Sequence, residues 1–178
     1  GVVVFNITQQ FKAGQTNQIT PTQLENNSNI LYGGILIIIY ANNTQNTNII
    51  INEGADLLNP ESSGLTTNDY TIAYSNYENI KSGDAVLYTI SAAADKTDGS
   101  KIIFNDKEYQ SLADNYDSTS KISIVESNID NLVNGTNTVS LQSINDNLFA
   151  MGTILVVTYP ATPNIVVDNV DVTASKGD

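Results

Sequence analysis

The side chains of this sequence that could carry out chemistry are carboxylates and lysines. The sequence contains no His, Cys or Trp, and all 7 of its basic residues are Lys. This composition excludes disulfides, Cys/His zinc sites, nucleophiles activated by histidine, and arginine fingers. Lysine chemistry, paired acids and cations bound by oxygen ligands remain.

Acidic residues cluster in two predicted loops, where they could bind a hard cation. Asp95 and Asp98 lie in the segment DKTDG, and residues 114–117 read DNYD. A Ca²⁺ ion takes about six to eight oxygen ligands, and neither loop has the spacing of an EF-hand. Acids exposed in turns are the more common arrangement. We therefore expect no cofactor, with Asp95 and Asp98 as weak candidates for Ca²⁺.

Carbohydrate chemistry is the remaining class of enzymatic activity to consider. Glycoside hydrolysis requires two carboxylates across a cleft, about 5–9 Å apart. The 19 acidic residues allow such a pair by chance, but the Trp residues that commonly line these clefts are absent. Tyr70, Tyr74 and Tyr77 could form a carbohydrate platform, although tyrosines at strand ends more often belong to a core. We therefore expect that the protein is not an enzyme.

Two covalent modifications are compatible with the residue types. Sequons for N-glycosylation occur at Asn6, Asn26, Asn42 and Asn134, about as many as chance gives in a chain so rich in Asn, Ser and Thr. Asn26 and Asn42 lie in predicted loops and are the better candidates. An isopeptide bond from Lys12 or Lys121 to a strand asparagine is chemically allowed, but no spacing selects a pair.

The charge of the chain excludes two classes of partner. The net charge is −12 at pH 7 and the pI is about 4.1. Proteins bind nucleic acids and anionic lipids mainly through clustered Lys and Arg, so both partners are disfavoured. The longest apolar run, residues 35–40, is much shorter than the roughly 20 residues of a membrane-spanning helix. We expect no membrane insertion.

Short apolar runs alternate with turn signals along the whole chain. Residues 34–40 (GILIIIY) are the densest run and suit a strand that is buried on both faces. This alternation predicts an all-β fold, a sandwich or jelly roll with antiparallel sheets. Helical spacing is limited to a short helix or turn at residues 127–133 and its counterpart at residues 8–13. The runs that we predict as strands are residues 2–7, 34–40, 48–52, 85–91, 101–104, 121–125, 138–144, 153–159, 164–168 and 170–173.

An internal repeat organises the predicted fold. Residues 33–40 (GGILIIIY) are similar to residues 152–159 (GTILVVTY), and residues 6–17 parallel residues 128–137 with small gaps. The repeat predicts two related β-sandwich units in tandem, residues 1–80 and 81–160, followed by a strand or linker at residues 161–178. The first unit lacks the strands that precede the repeat in the second. We therefore expect either a fragment of a longer polypeptide or strands supplied by a neighbouring chain.

Several motifs carry a resemblance to a known family. They are NIT at residues 6–8, LIIIY at 36–40, INEGADLL at 51–58, GDAVLYTI at 83–90 and IFND at 103–106. The chain resembles archaeal cell-surface domains of unknown function that are frequent in methanogen adhesin-like proteins, except that Asp106 replaces the usual Gly. Residues 161–178 are similar to the opening strand of a CARDB-like adhesion module. The resemblance implies an extracellular β domain and supplies no catalytic residues.

Glu53 in the INEGADLL motif has two interpretations. It could be a binding residue at a strand end. The simpler interpretation is a turn enabled by Gly54, in which Glu53 accepts backbone hydrogen bonds.

These observations predict a non-enzymatic extracellular module with a structural or adhesive role in an archaeal cell-surface protein. Its expected partners are other surface modules, copies of itself, or glycans. The alternative is the subunit of an extracellular filament, in which the C-terminal segment completes a sheet of the next copy. Candidates for that inter-subunit strand are Ile165, Val166, Val167, Val170 and Val172.

Overall fold

The described part of the protein is built of β-strands. The structure, a computed structural model, describes residues 3–22, 33–40, 45–60, 64–75, 84–94, 99–113, 121–145 and 147–160. These ranges contain no helix, and hence none that is long and apolar enough to cross a membrane. The strands are β1 (Gln45–Leu58), β2 (Thr67–Tyr74), β3 (Ala85–Ala92), β4 (Lys101–Phe104), β5 (Lys107–Glu108), β6 (Ile122–Ile129), β7 (Gly135–Gln142) and β8 (Leu148–Pro160).

The strands form two antiparallel sheets of four strands each. Sheet I has the order β1-β8-β3-β6, and sheet II has the order β2-β7-β4-β5. Every strand pairing in both sheets is antiparallel. The predicted all-β class with antiparallel sheets is thereby confirmed.

The predicted boundary between two units at residue 80 does not separate the two sheets. Strands β1 and β2 come from the predicted first unit, yet β1 pairs with β8 and β2 pairs with β7. Each sheet therefore combines strands from both predicted units, and the described strands form one pair of sheets instead of two tandem sandwiches. The physical reason is that β1 alone exposes a full row of backbone groups, which β8 satisfies on one side.

The two sheets enclose one main core. Side chains of β6 and β7 alternate between buried and exposed positions, as expected when one face of each strand packs against the other sheet. Leu87, Val125 and Leu155 from sheet I join Ile72 and Leu141 from sheet II in a single buried cluster. The buried hydroxyls of Thr89, Ser123 and Ser127 have no hydrogen-bond partner among the described residues, at a cost of about 1–3 kcal/mol each.

Residues 33–40 contradict the prediction of a buried strand. They are not in a strand, and every side chain from Ile35, which is 37% exposed, to Tyr40, which is 80% exposed, is open to solvent. Val3, Val4 and Phe5, in the predicted strand at residues 2–7, are exposed as well. A dense apolar run is buried only when neighbouring strands cover it, and the described residues supply none here.

The predicted helical segments have different outcomes. The short helix expected at residues 127–133 is wrong, because residues 127–129 are the end of β6. The turn expected at residues 8–13 is confirmed: the N–H groups of Gln10 and Phe11 donate to the C=O of Ile7 at 3.0 and 2.9 Å.

The internal repeat is visible in the hydrogen bonds of two asparagines. Asn17 accepts from the N–H of Lys12 and donates to its C=O, both at 2.8 Å. Asn137 makes the same pair of bonds to Val133, both at 2.9 Å. Each asparagine thus closes a tight loop that contains a glycine with positive φ, Gly14 at 71° and Gly135 at 111°. The two segments therefore share a local structure as well as a sequence pattern.

We expect Asn137→Ala to lower the free energy of unfolding by about 1–3 kcal/mol, because the fully buried Asn137 side chain holds part-buried hydrogen bonds to Val133 and Asn105 that the variant loses. Asn17→Ala removes the same contacts from an exposed loop and should change the unfolding of the sandwich by less than about 0.5 kcal/mol. Urea denaturation of both variants measures the two values. Equal effects would contradict the different burial of the two asparagines.

Gly152 allows β1 and β8 to approach each other closely. A Cβ atom at Gly152 would lie 2.6 Å from the backbone oxygen of Asn52 on β1. Gly152 pairs with Glu53, next to the irregular stretch of β1 between Glu53 and Asp56. Only glycine fits this position without moving the backbone of one strand.

Gly152→Ala should therefore destabilise the protein by about 1–3 kcal/mol, since the added methyl group overpacks a strand contact. The matched control is Gly34→Ala, where the new Cβ would meet no atom within 4 Å. Thermal and urea unfolding of the two variants should differ clearly. If Gly152→Ala unfolds like wild type, the close approach of β1 and β8 is wrong.

Candidate association surface

Strand β1 lies at the edge of sheet I. It is 14 residues long and pairs with β8 on one side only. On its other side, no strand of the described residues is hydrogen-bonded to it. Alternate residues of an antiparallel edge strand direct their N–H and C=O groups away from the sheet, so β1 offers a row of free backbone groups.

Residues 33–40 are an apolar segment without a partner in the described part of the chain. No backbone hydrogen bond joins them to another described residue. In the sequence, residues 41–44 separate them from β1, which begins at Gln45. Exposed apolar runs are uncommon on soluble monomers and are characteristic of interaction sites. The exposed side chains are Ile35, Leu36, Ile37, Ile38, Ile39 and Tyr40.

The outer face of sheet I is also apolar. Ile51 of β1 is directly opposite Ile154 of β8, which is opposite Tyr88 of β3. This row points away from the core, because the adjacent residues Leu87 and Leu155 point into it. A second hydrophobic cluster lies on this side of the sheet: Ile90, Ala92 and Ile122 are buried in it, and Phe149, Met151 and Ile154 pack against them partly buried.

We call the segment 33–40 and the free edge of β1 the association surface. Most of this surface differs from the rest of the chain in its lack of charged residues. No charged residue occurs between Glu25 and Glu53, although the net charge of the chain is −12. The segment and the first half of β1 therefore lack the charged side chains that normally protect an edge strand from pairing.

A polar network connects β5 of sheet II to the loop that follows β6. Lys107 on β5 donates to both carboxylate oxygens of Asp130 at 2.6 Å, and its ammonium lies 5.0 Å from the ring centre of Tyr109. The Tyr109 hydroxyl lies 2.8 Å from Oδ1 of Asp130 and 2.7 Å from Oδ1 of Asn131, and donates to one of them at a time. The Lys107 contact lowers the pKa of Asp130, and Asp130 raises the pKa of Lys107.

Asparagines continue the network into the core. Asn105 donates to the side-chain oxygen of Asn137 at 2.7 Å and accepts from the N–H of Thr138 at 2.9 Å. Asn131 donates to the C=O of Phe104 at 2.8 Å. Asn105 and the following Asp106 have positive φ angles of 45° and 65°, the geometry of a two-residue hairpin turn between β4 and β5. The network therefore fixes the loop after β6 to that hairpin.

The sequons fall on different parts of the structure. Asn6 and Asn134 are exposed, and Asn6 accepts the N–H of Thr8 at 3.1 Å, while Asn26 and Asn42 lie outside the described residues. The Ca²⁺ candidates Asp95 and Asp98 also lie outside them. So do the inter-subunit candidates Ile165, Val166, Val167, Val170 and Val172. The described ranges hold no group of three His, Cys, Asp or Glu residues that could bind a metal ion.

The tyrosines considered as a carbohydrate platform belong to the core where they are described. Tyr70 and Tyr74 are buried in the main cluster, and Tyr77 lies outside the described residues. Asn68 donates to the Tyr70 hydroxyl at 3.0 Å. Burial, with the nearby Asp56 carboxylate, raises the pKa of Tyr70 to about 12. The core interpretation of these two residues is confirmed.

The remaining candidate residues, Glu53, Lys12 and Lys121, are exposed. Glu53 lies within β1 at its irregular stretch, so the predicted turn at Gly54 is wrong. Gly54 instead faces the ring of Tyr70, since a Cβ atom at this glycine would lie 3.8 Å from a ring carbon. Lys12 and Lys121 are both exposed. The chemically allowed isopeptide bond from either lysine is not tested by the described contacts.

The sequence patterns do not predict the network of Lys107, Tyr109 and Asp130 or the free edge of β1. The abundance of Asn was a usable signal for the network, since buried Asn side chains commonly satisfy loop backbone groups. The edge position of β1 has no local signal, because it depends on which strands pair over long sequence distances.

The pKa of the Asp130 carboxyl should be measurably below its ordinary value in an NMR titration, because the charged form is hydrogen-bonded by Lys107. Lys107→Gln should raise it toward the ordinary value. The corresponding stabilisation is present above the unfolded-state pKa of Asp130 and is lost as the pH falls through its lowered folded-state pKa.

Lys101→Gln is the matched control, because Lys101 pairs with Glu108 at 2.7 Å and makes no contact with Asp130. The control should leave the titration of Asp130 nearly unchanged. An Asp130 pKa that responds equally to both substitutions would contradict the network.

Two solved structures are distantly similar to the chain, and no curated protein matches it. The structure of dimeric latent PorU from Porphyromonas gingivalis is 11% identical with a TM-score of 0.41, covering 66% of this chain and 13% of that one. A BuGH86 variant in complex with neoagarooctaose is 20% identical with a TM-score of 0.37, covering 61% and 19%. The chain thus spans less than a fifth of each, and likeness of this degree carries no functional argument.

One family match covers nearly the whole chain. It extends over residues 1–158, which include all of the described strands up to the last residues of β8. The chain belongs to this family, which is described as a protein of unknown function (DUF3344).

Proposed function

We propose that the chain is a non-enzymatic structural and adhesion module of an extracellular, archaeal cell-surface protein. The observation that carries this proposal is the association surface, where an exposed apolar segment and a free strand edge lie in one chain. Surfaces of this kind suit contacts between proteins. Its partners would be other surface modules, copies of itself, or glycans.

The charge and surface composition support the same proposal. A net charge of −12 disfavours nucleic acid and anionic membranes as partners. The surface is rich in neutral Asn, Thr and Ser, and the exposed sequons at Asn6 and Asn134 would be available for glycosylation outside the cell. The resemblance to methanogen adhesin-like domains agrees with this setting.

Protease treatment of intact producing cells tests the location. We expect the protein to be cleaved while a cytoplasmic marker stays whole, because an extracellular module is accessible without lysis. Protection of the protein until the cells are lysed would overturn the proposal. Turnover of a polysaccharide by the purified protein would overturn its non-enzymatic part.

The free edge of β1 favours a second candidate, a filament subunit. In this version, the segment that contains Ile165, Val166 and Val170 adds as a strand to the next copy. Sedimentation should then show assemblies that lengthen with concentration, and removal of residues 161–178 should abolish them. A single species of fixed size at all concentrations would contradict a filament.

A further inference from the structure

Residues 6–17 and 33–40 repeat the sequence pattern of residues 128–137 and 152–159, which lie in the sandwich. The loop closed by Asn17 matches the loop closed by Asn137 at the start of β7, and residues 33–40 match residues 152–159 in β8. In sheet I, residues 152–159 lie between β1 and β3. Their counterpart at residues 33–40 has the same sequence pattern but is exposed and unpaired among the described residues.

Strand β1 already pairs with this sequence pattern. Its residues from Asn46 to Asn52 are opposite residues from Tyr159 to Thr153 of β8 in an unbroken antiparallel register. The other edge of β1 is not paired in the described structure. A second strand with the pattern of β8 therefore has a matching edge available, and the side chains of Ile49 and Ile51 would extend an apolar row beside it.

Charge favours a second copy of this chain at that edge. Two copies that each carry −12 repel each other at most surfaces. The stretch between Glu25 and Glu53, which holds both the apolar segment and the first half of β1, contains no charge. Two copies can bring these stretches together with no pair of like charges in contact. The chain's own segment 33–40 makes no backbone hydrogen bond to its own β1, which leaves both elements open.

We propose that residues 33–40 of one copy add as a strand to the free edge of β1 in a second copy, reciprocally, so that the protein forms a two-fold dimer. The exchange of identical elements makes the contact self-complementary and closed. Sheet I of each copy would gain a fifth strand, and the unpaired backbone groups of both elements would be hydrogen-bonded. Self-association of this kind does not depend on where the protein is located.

Sedimentation velocity of the full chain over a range of concentrations tests the proposal. We expect a monomer–dimer equilibrium. Ile37→Asp should weaken the dimer by at least about 100-fold, because it buries a carboxylate in the new strand pair. Val133→Asp is the matched control: Ile37 is 44% exposed and Val133 is 47% exposed, so both introduce the same charge at an open apolar position. The control should dimerise like wild type.

Hydrogen–deuterium exchange of the wild-type chain provides a readout that needs no variant. The amides of residues 33–40 should be protected at high concentration and lose protection on dilution to the monomer. Protection in a monomer at all concentrations would overturn the proposal, since the segment would then pair with its own β1. A monomer without protection would overturn it as well, in favour of another polypeptide as the partner. A dimer that survives Ile37→Asp would place the interface elsewhere.

Discussion

The antiparallel pairing of β1 with β8 is the contact on which the described fold depends. It joins the beginning and the end of the range from residue 45 to residue 160, and it places β8 between β1 and β3 at the centre of sheet I. The pairing requires a glycine at position 152, where the backbones approach most closely. It also leaves β1 with one paired and one free edge, so the fold and the association surface have the same origin.

Neutral asparagine side chains hold several loops of the sandwich together. Asn105, Asn131 and Asn137 connect the loop after β6, the β4–β5 hairpin and the start of β7. The amide side chain suits this task because it donates and accepts at once, and its contacts are not weakened by the large net negative charge. The excess of Asn in the sequence is, at these positions, a structural requirement.

The sequence predicts most strands and little of their arrangement. Residues 85–91 and 101–104 coincide closely with β3 and β4, and residues 138–144 overlap β7, because alternation of side chains is local information. Strand β2 was missed although Tyr70, Ile72 and Tyr74 alternate, since Asn68 and Asp69 are typical of turns. Strand order and the exposure of residues 33–40 depend on pairings across about a hundred residues, for which a single sequence has no pattern.

The long separation between β1 and β8 has a consequence for biosynthesis. Residues 33–58 leave the ribosome well before residues 148–160, so β1 waits for its partner with both edges open and an uncharged isoleucine-rich stretch beside it. Closing such a distant pair is slow compared with forming a local hairpin. During that interval the edges of β1 and the uncharged stretch beside it are available for contact with other nascent chains.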